Sequence, residues 1–98
     1  MKLVWTQRAL EDRRAIFDYI ETEDLHAAGV VDGRIAAATR RLIDFPKSGR
    51  PGRVEATREL VIARTPYVAP YRIEGDVVRI LRVIHGARIW PDEIPDDD

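Results

Sequence analysis

Within residues 80–91, ILRVIHGARIWP, Arg82, His85 and Arg88 recur at every third position, and Trp90 follows them. An imidazole can take and return a proton near neutral pH, and a guanidinium can stabilise negative charge developing on phosphate oxygens. Together these groups could cleave RNA. In a regular strand, however, Arg82 and Ile84 face one way and Val83 and His85 the other, so Arg82 and His85 share a surface only if Gly86 redirects the chain. The alternative is structural, with His85 packed and hydrogen-bonded near a strand end. Trp90 then plugs the end of the sheet instead of stacking on a nucleobase.

A second basic cluster lies upstream. PKSGRPGR, residues 46–53, sets Arg50 and Arg53 beside glycines, where backbone amides and guanidiniums could meet a phosphate or a carboxylate. It lacks the GxxxxGK(S/T) pattern, and it leads from a helix into a strand, the reverse of a phosphate-binding loop. The other reading is a connection with solvated arginines. In TREL, residues 57–60, Arg58 and Glu59 fall on opposite faces of a strand and cannot simply pair with each other. Arg58 either anchors carbonyls or a carboxylate elsewhere in the fold, or contacts a partner. No metal site is expected, because His26 and His85 lack ligand spacing and the chain has no cysteine.

The elements that position these groups read in order. Residues 2–5 form a short strand, and Thr6 is placed to cap a helix over residues 7–22 whose stripe is Ala9, Ile16 and Ile20, flanked by Leu10, Phe17 and Tyr19. A second helix starts near His26 or Ala27 and reaches about Asp44, burying Val31, Ile35, Ala38, Leu42 and Phe45. Its short link to the first implies an antiparallel hairpin. Pro46 and the following glycines end the helix. Three strand-like runs follow over residues 57–64, 67–73 and 77–85, joined by Thr65-Pro66 and by a hairpin at Glu74-Gly75-Asp76, so they should be antiparallel neighbours. Tyr67, Ala69, Tyr71 and Ile73 should share one face, as should Leu81 and Val83, with the helices covering one side of the sheet and the other partly open. Pro70 in mid-strand points to an edge position or a bulge.

The chain's 98 residues suit one domain with one core, and 45% hydrophobic with 34% charged residues excludes wholesale disorder. No run approaches the roughly 18 apolar residues of a membrane span, and MKLVWTQRAL lacks the pattern of a signal peptide, so a cytoplasmic protein is expected. Five of the seventeen acids fall in the last seven residues; residues 1–91 hold sixteen basic against twelve acidic groups, about +4. Residues 1–91 are therefore read as the domain and 92–98 as an acidic, disordered tail.

The order of strand, helix hairpin, GRPGR, TREL, TPY, YR and ILRVIHGAR followed by WP resembles the RelE/ParE superfamily of toxins from bacterial type II toxin–antitoxin modules. The resemblance implies an α+β fold of order βααβββ with an antiparallel sheet, a cytoplasmic location, no cofactor, and neutralisation by an antitoxin whose C-terminal segment wraps the toxin. RelE-like members cut messenger RNA on the ribosome with basic residues on the sheet, whereas ParE-like members are associated with poisoning DNA gyrase. Here Glu59, Val61 and Val68 stand where the RelE-type basic residues belong, and an acid and two aliphatics cannot stabilise phosphate charge. The ParE-like branch is favoured. Target contacts then fall to Arg50, Arg53, Arg58, Arg82 and Trp90, and antitoxin contacts to Arg13, Arg14 and Arg40. The alternatives are a ribosome-dependent nuclease using Arg82, His85 and Arg88, or a module that binds its antitoxin and is no longer toxic.

Overall fold

The computed structural model describes residues 1–88, 90–91 and 93–94. Strand β1 (Lys2–Trp5) ends at Thr6, whose hydroxyl accepts from the Ala9 amide at 3.0 Å and so caps α1 (Gln7–Glu21), as expected. The same hydroxyl donates to the Leu81 carbonyl at 3.0 Å. One buried threonine therefore starts the helix and ties it to the far end of the chain. Asp24 caps α2 (Leu25–Arg40) by accepting from Ala27, which starts the helix at Leu25. Arg13 links the two helices, gripping Asp32 through Nε and Nη2 at 2.7 and 3.0 Å.

The buried face of α2 holds at Ile35, Ala38 and Leu42 but fails at Phe45, which is 64% exposed. Past Arg40 the chain tightens into a 3-10 turn, Arg41–Ile43, and the 3.6-residue period that would have turned Phe45 inward no longer applies. On α1 only Ala9 is fully buried, and the flanking Leu10 and Tyr19 are exposed.

Five further strands follow: β2 (Arg50–Pro51), β3 (Arg58–Val61), β4 (Tyr67–Glu74), β5 (Val77–Ile80) and β6 (Ile84–His85). Their order is β1-β5-β4-β3-β2, with β6 pairing on β4 alongside Tyr67 and Val68. The short connections give antiparallel pairs throughout β2 to β6, and Gly75 adopts φ 61° in the β4–β5 hairpin. Strand β1 joins β5 in parallel, Lys2 opposite Val77, making the sheet mixed. A parallel neighbour is possible there because the whole helix hairpin and three strands intervene.

The long run expected over residues 77–85 is broken between β5 and β6, and the break explains Pro70. In an extended strand a residue's N–H and C=O point to the same side. The Leu81 amide donates to the Pro70 carbonyl at 2.9 Å, so the missing proline donor also faces this side, where the neighbouring strand is interrupted. Pro70 thus sits inside the sheet opposite a gap. The break also separates Leu81 from Val83, which do not share a face: Val83 joins the main core, while Leu81 packs elsewhere.

That main core lies between the helices and the sheet. Ile35, Leu42, Ile62 and Ile80 are wholly buried, each contributing about 1.5–3 kcal/mol, and Ala69 and Tyr71 from β4 fill the space between them. A smaller cluster of Val54, Leu81 and Ile94 is also buried. Leu60 packs on the main core, so its neighbour Glu59 faces the other side of the sheet, which is accordingly not left bare. Ile94 is 5% exposed, which carries the packed body past Pro91. The rest of the acidic tail, at 92 and 95–98, lies outside the described residues, apart from Glu93, which is exposed.

Candidate functional site

A cleft of about 420 Å³ opens between α1 and the β6 end of the sheet, and Arg82, His85 and Arg88 all line it, together with Asp12, Tyr19 and Tyr67. The sequence pattern set Arg82 and His85 on opposite faces unless Gly86 intervened. They share the cleft because of Asp12. Its Oδ2 accepts from Arg82 Nε at 2.7 Å and from the Val83 amide at 3.0 Å, and its Oδ1 accepts from Arg82 Nη2 at 3.1 Å. A carboxylate on α1 thereby draws both the side chain of Arg82 and the next backbone amide out of the strand ladder. Nothing in the sequence marked Asp12, which reads as a helix-surface acid four residues from Arg8, with which it also pairs.

His85 lies edge-on to Tyr67, with ring centroids 5.8 Å apart, and its Nδ1 accepts from the Ala87 amide at 3.1 Å. In the neutral ring that bond leaves the proton on Nε2, so the imidazole has one ring nitrogen committed to the backbone. Burial and the nearby Tyr19 raise the Tyr67 phenol above its ordinary pKa, against the opposing pull of Arg88. Arg88 itself is exposed.

Arg50 and Arg53 are built into a different cluster. Glu59 is 2% exposed and takes two bonds from Arg50, through Nε and Nη2 at 3.1 and 2.9 Å. It takes three more from Arg53, through the amide at 2.8 Å, Nε at 3.1 Å and Nη2 at 3.4 Å. Burial alone would raise this carboxyl's pKa, but the Arg53 amide and the two guanidiniums outweigh it and hold it below the usual carboxylate value. The Arg53 guanidinium in turn lies 3.7 Å from the centroid of the Trp90 ring, a cation–π stack that makes Trp90 neither a free platform nor a simple apolar plug. Arg58 points to the helix side, where Nη1 donates to the Gly49 and Lys47 carbonyls at 2.8 and 3.2 Å. Beside it the Tyr71 hydroxyl accepts from the Gly49 amide at 2.9 Å and donates to the Pro46 carbonyl at 2.7 Å.

Of the residues expected to meet an antitoxin, Arg13 is engaged by Asp32 and lies 5.1 Å from the Trp5 ring centroid. Arg14 is 79% exposed beside Asp18, and Arg40 is exposed on α2. The described residues contain no group of acids and histidines arranged to hold a metal ion. Nor is any described helix long and apolar enough to cross a membrane.

The two internal carboxylate clusters imply an acid sensitivity. The Arg13 hydrogen bonds lower the Asp32 carboxyl against the opposing effect of burial, with their attraction adding to the lowering, and Glu59 is lowered as described. Both groups are more acidic folded than unfolded, so the unfolded chain takes up protons first. Their stabilisation is complete above the unfolded carboxylate range, about pH 4, and is lost as pH falls through the lower folded values. Urea unfolding measured across this range should show stability falling with acid, and Glu59→Gln should flatten the slope; an unchanged slope would mean that Glu59 is not a source of it.

A model described as the ParE toxin of the type II toxin–antitoxin system parDE matches residues 3–90. A putative toxin of Sinorhizobium fredii, Y4kP, is 49% identical over 90 residues, covering 92% of this chain and 93% of that protein. Toxin RelE2 of Caulobacter vibrioides is 39% identical over 88 residues, covering 90% and 98% respectively. A solved structure described as a chromosomal ParDE TA system from P. aeruginosa superposes with a TM-score of 0.78 at 32% identity, over 87% of this chain and 95% of that one. Strand, helix hairpin and sheet together are thus the architecture of a RelE/ParE superfamily toxin. The chain belongs to the ParE toxin family of type II toxin–antitoxin systems, a membership that implies an antitoxin as its partner.

Proposed function

We propose that this toxin is a binding poison of the ParE type, acting in the cytoplasm on DNA gyrase, with no RNA chemistry of its own. The observation that carries the reading is the internal commitment of its arginines. Arg82 is held bidentately by Asp12, Arg50 and Arg53 by Glu59, and Arg58 by two carbonyls. A phosphoryl-transfer site needs donors aimed at the place where charge develops, and these donors already have acceptors. In this reading the cleft beside α1 is a contact surface for a protein partner, with Tyr19 and Arg88 its exposed groups, and the antitoxin's acids meet Arg14 and Arg40 on the helices.

His85 and Arg88 in the same cleft favour the nuclease as the second reading, since an imidazole Nε2 and an exposed guanidinium are available there. One pair of assays separates the two. Purified toxin is expected to inhibit supercoiling by gyrase and to leave ribosome-bound messenger RNA intact. Cleavage of that RNA, abolished by His85→Ala in a folded protein, would establish the nuclease in its place.

A further inference from the structure

The cluster around Glu59 has a donor set that exceeds what a structural ion pair requires. Five N–H contacts, two from Arg50 and three from Arg53, converge on one carboxylate. The acid lies beneath the surface at 2% exposure, while the side chains of Arg50 and Arg53 remain 52% and 43% exposed. A backbone amide flanked by two guanidiniums, all pointing at one position, is the chemistry by which proteins hold phosphate oxygens. The Trp90 ring stacks on Arg53, and its Nε1 is buried without a hydrogen-bond partner among the described residues, so the cluster has donor capacity to spare. Guanidinium beside an aromatic face is also how sequence-tolerant sites grip single-stranded nucleic acid.

We propose that Glu59 fills, from within the chain, an oxyanion cradle formed by Arg50, Arg53 and the Arg53 amide, and thereby keeps nucleic-acid phosphates off this face of the toxin. Residues 1–91 carry sixteen basic against twelve acidic groups, about +4, while the full chain is -1, so attraction to polyanions depends on locally exposed guanidiniums such as those of Arg50 and Arg53. Glu59 removes the best-formed anchor for that attraction. It is a specificity-determining residue whose effect is to exclude a ligand, and the inference stands whichever macromolecule the toxin poisons.

The test uses the full chain as the native protein, Glu59→Ala, Glu59→Gln and the double variant Glu59→Ala/Arg53→Ala. Each is titrated with inorganic phosphate against sodium chloride of equal ionic strength and followed by thermal unfolding. The native chain should show only the gradual, unsaturable rise that phosphate, as an excluded salt, gives folded proteins relative to chloride. Glu59→Ala should show a saturable, phosphate-specific rise of several degrees, of the size expected when a ligand reaches about tenfold its dissociation constant, and the double variant should lose it. In parallel, a fluorescent single-stranded oligonucleotide should bind Glu59→Ala at least about tenfold more tightly than the native chain, with a steeper salt dependence. Should Glu59→Ala be unfolded in chloride, phosphate is expected to restore folding to it or to Glu59→Gln. Failure to restore either, or a phosphate response no larger than that of the native protein, overturns the cradle. A phosphate response without oligonucleotide binding overturns the exclusion of nucleic acid as its role.

Discussion

Gly49→Ala should lower the unfolding midpoint by about 15–30 °C, corresponding to roughly 3–4 kcal/mol for a domain of this size. A Cβ built on Gly49 would stand 2.6 Å from both Cε1 and the hydroxyl oxygen of Tyr71, and 2.9 Å from the backbone oxygen of Glu59. Neither neighbour can yield. Tyr71 is wholly buried in the core, and its hydroxyl is pinned between the Gly49 amide and the Pro46 carbonyl. The Glu59 oxygen belongs to a paired strand. Relief therefore requires moving the loop, which breaks one or both bonds to Tyr71 and leaves buried backbone groups unpaired, at about 1–3 kcal/mol each. Tyr71→Phe removes the same bonds without the clash and should cost about 1–3 kcal/mol. If the two defects share this origin, the double variant will be less destabilised than the sum of the singles. A midpoint for Gly49→Ala within a few degrees of the native one would show that the loop is not held against Tyr71.

Asp12→Ala is expected to cost about 2–4 kcal/mol, because it strands two donors at once. The Arg82 side chain is 21% exposed, so its charge loses a partner where water only partly replaces it, and the Val83 amide loses its acceptor. Asp12→Asn retains one oxygen for the Val83 amide, but it loses the charge and puts an NH2 where Arg82 Nη2 needs an acceptor, so only about half the cost should return. Urea unfolding gives the energies, and hydrogen exchange at the Val83 amide localises them, with exchange accelerated in the alanine variant and near native in the asparagine variant. Equal exchange in both variants would mean that Asp12 does not hold the break between β5 and β6. The same comparison bears on function, since Asp12→Asn frees Arg82 inside the cleft while keeping the backbone in place. A binding poison should gain no RNA cleavage from that change.

Much of the fold is legible along the chain because it rests on local chemistry. The Thr6 cap, the Glu74-Gly75-Asp76 hairpin and the alternation that sends Ala69 and Tyr71 into the core each depend on a few adjacent residues. The departures arise where a distant residue competes with the local pattern. Phe45 leaves the core because α2 tightens before reaching it. The last strand breaks because Asp12, 70 residues upstream of Arg82, offers its carboxylate to a backbone amide that periodicity assigns to the ladder.

Motif order along the chain is enough for the strand, helix hairpin and sheet plan and for the family, but it does not say which arginines of the second half are free. Glu59 reads in sequence as a departure from a basic site, and in three dimensions it is the acceptor that occupies Arg50 and Arg53. Arg82 and His85 read as facing apart, and in three dimensions they line one cleft. Both outcomes depend on where a carboxylate arrives after folding. Periodicity assigns a side chain to a face, but the strength of an ion pair or hydrogen bond depends on distance and burial, and only tertiary packing sets those.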